Sequence, residues 1–200
     1  MTTLFLLSPA RCGGPRAEQL IVSRTAALGV QLRDGGAPIG DVFAWLSALY
    51  FRGKLAYANA FAPEHAFVMA AGAGLVRPAT RITARQLRAM GQVDIESPGF
   101  VRPLRRDADA LRELHGDTAR VVLLGSIATG KYIDTLLAVF GTQLLFPADF
   151  VGRGDMSRGG LLLRAARDGS ELVYAPVLGA TLHGSRPPKL PPLGRKPAAP

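Results

Sequence analysis

Four short apolar runs constrain this chain more than anything else in it. Residues 4–7, 66–71, 121–124 and 144–146 are continuously apolar, with no polar residue at alternate positions. A run of that kind is buried on both faces, as in a sheet covered by helices on either side, and not the half-wetted strand of an open antiparallel sheet. Segments with helical spacing separate the runs. Residues 16–28 repeat apolar side chains at helical intervals, residues 41–50 set Val42, Trp45, Leu46 and Leu49 on one side, and residues 83–90, 107–115 and 132–140 read as further helices. The expected architecture is a single α/β domain with a central mixed β-sheet flanked by helices.

Glycine and proline divide the remainder. Asp34-Gly35-Gly36-Ala37-Pro38 reads as a loop, and residues 93–106, interrupted by Pro98, Gly99 and Pro103, read as a linker. Residues 160–164 continue as an apolar strand, and Asp168-Gly169-Ser170 reads as a tight turn into residues 171–175, so that the two segments form a β-hairpin. The prolines after His183 forbid regular packing, which makes residues 1–182 the domain and residues 183–200 a disordered basic tail.

The chain holds 24 basic and 15 acidic residues, a net charge of +9. Four of the basic residues, Arg186, Lys189, Arg195 and Lys196, lie in the acid-free tail, which leaves 20 against 15 in the body. Nearly all are arginine, whose planar fork suits phosphate and carboxylate, although a coding sequence rich in G and C gives the same bias. Hydrophobic residues at 48% and charged residues at 20% place the chain among globular proteins. Cys12 is the one cysteine, so neither an internal disulfide nor a cysteine-cluster metal site is expected, and the histidines at 65, 115 and 183 suggest no metal either. The opening apolar run is too short for a signal peptide, and no later run reaches membrane-spanning length. A cytoplasmic protein without membrane partner or cofactor is the expectation.

Four places hold candidate site residues. Ser8 and Arg11 follow the first strand, where α/β folds position ligands. Residues 49–57 set Arg52, Gly53 and Lys54 among Tyr50, Phe51 and Tyr57, an interleaving that suits base stacking and phosphate neutralisation, although aromatic rings are also ordinary core anchors. Gly125, Ser126, Gly130 and Lys131 lie between a strand and a helix with phosphate-loop spacing, but Tyr132 stands where the small hydroxyl that holds magnesium belongs. The same turn serves as an anion site or as a plain strand-to-helix connection. Residues 152–160 mix Arg153, Asp155, Ser157 and Arg158 with four glycines: the arginines and Ser157 suit phosphate oxygens, and Asp155 can orient an arginine or move a proton.

Taken in order, four segments resemble the YaaA peroxide-stress family. Leu4-Phe5-Leu6-Leu7-Ser8-Pro9-Ala10-Arg11 resembles that family's apolar strand followed by Ser-Pro-Ala-Lys, and Phe51-Arg52-Gly53-Lys54-Leu55-Ala56-Tyr57 its Phe-Lys-Gly segment with a nearby tyrosine. Gly74-Leu75-Val76-Arg77-Pro78 resembles its Tyr-Gly-x-Leu-Arg-Pro turn, and Arg153-Gly154-Asp155-Met156-Ser157-Arg158 its Arg-Gly-x-Met-Ser-Arg loop. Ala71-Gly72-Ala73 departs from the family's Ser-Gly-Leu-Tyr, and its helix-hairpin-helix element is not evident. The resemblance implies a DNA-binding α/β domain with a basic cleft. On this reading Arg11, Arg52, Lys54, Lys131, Arg153 and Arg158 contact phosphates in one crevice and Tyr57 stacks a base. The alternative from the residues themselves is an enzyme acting on a nucleotide or nucleobase, with phosphate at the 125–131 turn and Asp155 as acid or base. A third reading is an interaction protein with a structural core.

Overall fold

All four apolar runs form strands, and they lie side by side. The computed structural model describes residues 2–127, 130–181, 184–185 and 187–190. Strand β1 (Thr3–Leu7) runs parallel to β3 (Ala66–Ala70) on one side and to β6 (Arg120–Leu124) on the other, and β6 in turn runs parallel to β7 (Leu144–Pro147). The register sets Leu6 beside both Phe67 and Leu123. Two short antiparallel strands close the edges, β4 (Gly74–Val76) on β3 and β8 (Tyr174–Pro176) on β7. The mixed sheet has six strands in the order β4-β3-β1-β6-β7-β8. Leu4, Phe5, Leu6 and Leu7 are fully buried, the expected consequence of helices on both faces.

The connections fix where a ligand belongs. From β1 the chain passes through α1 (Pro15–Val22), α2 (Ala27–Asp34) and α3 (Ile39–Phe61) to β3. It then crosses back through α4 (Ala84–Gly91) and α5 (Pro98–His115) to β6, and continues through α6 (Lys131–Phe140) to β7 and through α7 (Asp155–Asp168) to β8. A separate two-stranded ribbon pairs β2 (Ala37–Pro38) with β5 (Arg81–Ile82). The connection after β1 leads to one side of the sheet and that after β6 to the other. The topological switch point therefore lies between the carboxyl ends of β1 and β6, where open α/β sheets form their ligand crevice.

Several sequence expectations change. Residues 49–57 are the second half of α3, not a surface segment: Tyr50, Gly53, Lys54, Tyr57 and Ala58 recur at helical spacing on its buried side, while Arg52 is exposed. Ala48, with φ 47° and ψ −122°, kinks the helix just before them. The helix expected over 16–28 is two, divided near Ser23. Residues 93–106 are not a linker throughout, because α5 begins at Pro98 and carries Pro103 inside it. The strand expected over 160–164 is part of α7, whose Gly159, Leu162 and Ala165 are buried at helical spacing, so no hairpin forms at Asp168. β8 pairs with β7 instead. Beyond residue 182, Ser185 meets the loop at Gly152 and the Pro188 carbonyl accepts a hydrogen bond from Arg153 (3.4 Å), so part of the expected tail is seated on the domain.

Candidate functional site at the switch point

The switch point is occupied by side chains from four separate elements. Ser8 follows β1 and is tied to β6 by its backbone N–H, which donates to the Leu124 carbonyl (3.3 Å). Gly125 follows β6 so closely that a Cβ there would stand 2.7 Å from the Ser8 Cβ and 3.0 Å from the Tyr132 hydroxyl. That crowding is what Gly125 relieves: its lack of a side chain lets Ser8 and Tyr132 meet. Tyr132, in the first turn of α6, donates to the Ser126 carbonyl (3.2 Å), and its hydroxyl lies beside Ser8. Burial pushes the phenol's pKa up.

Lys54 reaches the same point from α3. Its side chain is fully buried, and Nζ hydrogen-bonds Ser8 Oγ at 2.7 Å and donates to the Ser8 carbonyl at 3.1 Å. The amine also lies 4.0 Å from the centre of the Tyr50 ring and 5.3 Å from that of Phe51. Burial disfavours the ammonium and lowers the pKa of Lys54 to about 7; the Asp155 carboxylate opposes the shift and the Arg158 guanidinium adds to it. At neutral pH this amine therefore exists in both protonation states, unlike an ordinary lysine.

Helix α7 closes the cluster. Arg158 donates to the Phe150 carbonyl through Nε and Nη2 (both 3.2 Å), stands 3.7 Å from Asp155, and keeps only 12% of its side chain exposed. Asp155 itself is 70% exposed and forms the wet edge of the group. The Tyr50 hydroxyl is buried without a hydrogen-bond partner of regular geometry; burial pushes its pKa up against the pull of the nearby Arg158 cation. An unsatisfied buried hydroxyl costs about 1–3 kcal/mol and is uncommon enough to mark a place where a ligand can complete the bonding.

Of the expected site residues, Ser8, Lys54, Gly125, Asp155 and Arg158 converge here, with Ser126 beside them at the turn. Tyr57 does not. It is fully buried, its ring packs on Phe5 and Phe61, and its hydroxyl bonds Tyr174 and accepts from the Leu172 N–H (2.8 Å), so it cannot stack a base as expected. Lys54 is likewise no surface phosphate contact. Arg153 turns back to the Asp149 carbonyl (3.0 Å) and the Ser157 hydroxyl (3.1 Å). With Ser157 it lines an open cavity of about 630 Å³ under Pro187 and Pro188, whereas Arg11 lines another of about 450 Å³ with Pro9, Ala10 and Ala71. Arg11 and Arg153, expected in one crevice, line two separate hollows. Arg52 is exposed. Ala128, Thr129 and the side chain of Lys131 lie outside the described residues.

Tyr50 and Tyr132 escaped the sequence reading. The sequence counts Tyr50 only as one of several rings in residues 49–57 and Tyr132 as the residue out of place in a phosphate loop, and only their shared approach to Ser8 and Lys54 reveals them. Among the described residues no group of three or more His, Cys, Asp or Glu could hold a metal ion, and no helix is long and apolar enough to cross a membrane. No family model matches the chain, and neither a curated protein nor a solved structure is significantly similar to it.

Proposed function

We propose that this protein is an enzyme acting on a nucleotide or nucleobase held at the carboxyl ends of β1 and β6. The observation that carries the reading is Lys54: a buried amine of lowered pKa, hydrogen-bonded to Ser8 at the switch point, with a carboxylate, a guanidinium and two phenols around it. Groups with perturbed pKa values gathered at a ligand crevice are what proton-transfer chemistry needs, and folded proteins seldom bury a lysine for stability alone. Arg158 and the first turns of α6 and α7 supply positive potential for phosphate, and Asp155 at the wet edge is the acid or base. Calorimetry tests the reading with a nucleoside monophosphate as titrant. Binding is expected for the native chain and a loss of at least about tenfold for Arg158→Met, the scale of a charge-assisted hydrogen bond. No heat of binding with any of the common nucleotides would overturn it.

A nucleic-acid partner is the second reading, supported by exposed Arg11 and Arg52 and by the resemblance to the YaaA family. It no longer has Lys54 or Tyr57 at its surface. Fluorescence anisotropy with a short DNA duplex tests it. The affinity should fall steeply with salt, and Arg11→Ala and Arg52→Ala should each reduce the logarithmic salt slope by about 1.

A further inference from the structure

Ser8 touches the Lys54 amine with its hydroxyl, at 2.7 Å. Its backbone is fixed at both ends, by the N–H bond to the Leu124 carbonyl and by Lys54 on its own carbonyl. The hydroxyl therefore sits at the end of a rigid strand, as a reacting group should. On its other side the Tyr132 hydroxyl meets it, held in turn by the Ser126 carbonyl. Pro9, Ala10 and Arg11, which follow Ser8, line an open cavity that carries a cation in its wall, and Ser8 itself, 6% exposed, lies behind that wall.

We propose that Ser8 is a nucleophile toward an acyl carbon, that Lys54 is the base that takes its proton, and that the substrate is an ester or amide bearing an anionic group. A serine with a lysine as its base is a known variant of the serine–histidine arrangement. As Ser8 Oγ attacks the carbonyl carbon, its proton passes to Lys54 Nζ and the carbonyl π pair moves to oxygen. Collapse of the tetrahedral adduct expels the alcohol or amine, which leaves with the proton from Lys54, and an acyl-serine ester remains. Water then attacks that ester, giving its proton to Lys54; collapse of the second adduct breaks the Oγ–acyl bond, releases the carboxylic acid and returns the proton from Lys54 to Ser8 Oγ. No oxidant, metal or second substrate is needed. Tyr132, whose hydroxyl is held by the Ser126 carbonyl beside Ser8, is the positioning residue that keeps Oγ toward the amine.

The groups facing Lys54 make the pH dependence specific. They are the Ser8 hydroxyl from β1, Tyr50 on its own helix, and Asp155 and Arg158 from α7. The neutral amine is the working form, so reactivity rises with pH through about 7. The proposal rests on the enzyme reading above for its site, not for its substrate.

An alkyl fluorophosphonate is the probe, because it phosphonylates an activated serine oxygen and expels fluoride. The full chain should acquire one adduct, mapped to Ser8 by peptide mass spectrometry. Below the midpoint near 7 the rate should drop about tenfold for each unit of pH. Lys54→Met should slow labelling at least about a hundredfold with the melting transition still cooperative. Absence of a Ser8 adduct would overturn the proposal, as would a rate unchanged in Lys54→Met. If that variant does not fold, the pH profile of the native chain decides, and a flat profile overturns it. Nucleotide binding without Ser8 labelling would leave the proposed function standing and remove this inference; labelling without nucleotide binding would do the reverse.

Discussion

Gly53 of α3 and Gly159 of α7 meet backbone to backbone. A Cβ added to Gly53 would stand 2.6 Å from the Gly159 carbonyl oxygen, and one added to Gly159 would stand 2.7 Å from that of Leu49. This contact lets the two helices approach closely enough for Lys54 and Tyr50 on one to share a site with Asp155 and Arg158 on the other. Gly159→Ala forces the helices apart and should cost about 1–3 kcal/mol, as overpacking of a core does. In a chain of this length that is a fall in Tm of roughly 2–4 °C per kcal/mol, read by thermal melting. Nucleotide affinity should fall with it; an unshifted Tm would show that the packing relaxes freely.

Lys54 should leave a signature in the pH dependence of stability. Its folded pKa, about 7, lies below the ordinary 10.5. Between those values the unfolded chain holds a proton that the folded chain has released, so stability rises with pH across the window, by at most about 1.4 kcal/mol per unit. Below about 7 both states carry the proton and this contribution is constant. Denaturant midpoints measured through the window should climb in the native chain and stay flatter in Lys54→Met. Equal slopes would mean that the amine is not buried as described.

Tyr57 is a structural residue on this account. Tyr57→Phe leaves the Leu172 N–H and the Tyr174 hydroxyl without their shared partner and should cost about 1–3 kcal/mol. Nucleotide binding and Ser8 labelling should not change. A loss of DNA binding in a folded Tyr57→Phe variant would instead favour the nucleic-acid reading.

Ala48 holds a backbone conformation that an L side chain rarely adopts, two residues before Tyr50 and six before Lys54. Strain of this kind costs about 1–3 kcal/mol and concentrates near functional sites. Ala48→Gly should therefore raise Tm by a few degrees. If the kink serves to aim Tyr50 and Lys54, the same variant should label more slowly at Ser8, which separates a functional strain from an incidental one.

What was readable in the amino-acid order is what local pattern controls. Uninterrupted apolar runs are dictated by burial on both faces, so the strands at residues 4–7, 66–71, 121–124 and 144–146 and the α/β class could be inferred before any coordinates. Residues 49–57 show the limit. Cations interleaved with rings look like a surface for nucleic acid until a helix turns them: Arg52 then faces solvent while Lys54 and Tyr57 face the core, because adjacent positions differ by about 100° around the axis. Residues 155–168 show a second limit: a short unbroken run of three leucines after two glycines reads as a buried strand, and only the close approach to α3 shows a helix with Gly159 at its contact.

The site divides in the same way. Ser8, Gly125, Asp155 and Arg158 could be singled out from residue type and from their places at strand ends. Their meeting with Lys54, Tyr50 and Tyr132 could not, because it depends on the order of strands in the sheet and on how near two helices can come. Sequence determined which segments are buried; the tertiary structure decided which buried groups face one another, and a lysine's charge depends on its neighbours and their distance from water, which no stretch of sequence carries by itself.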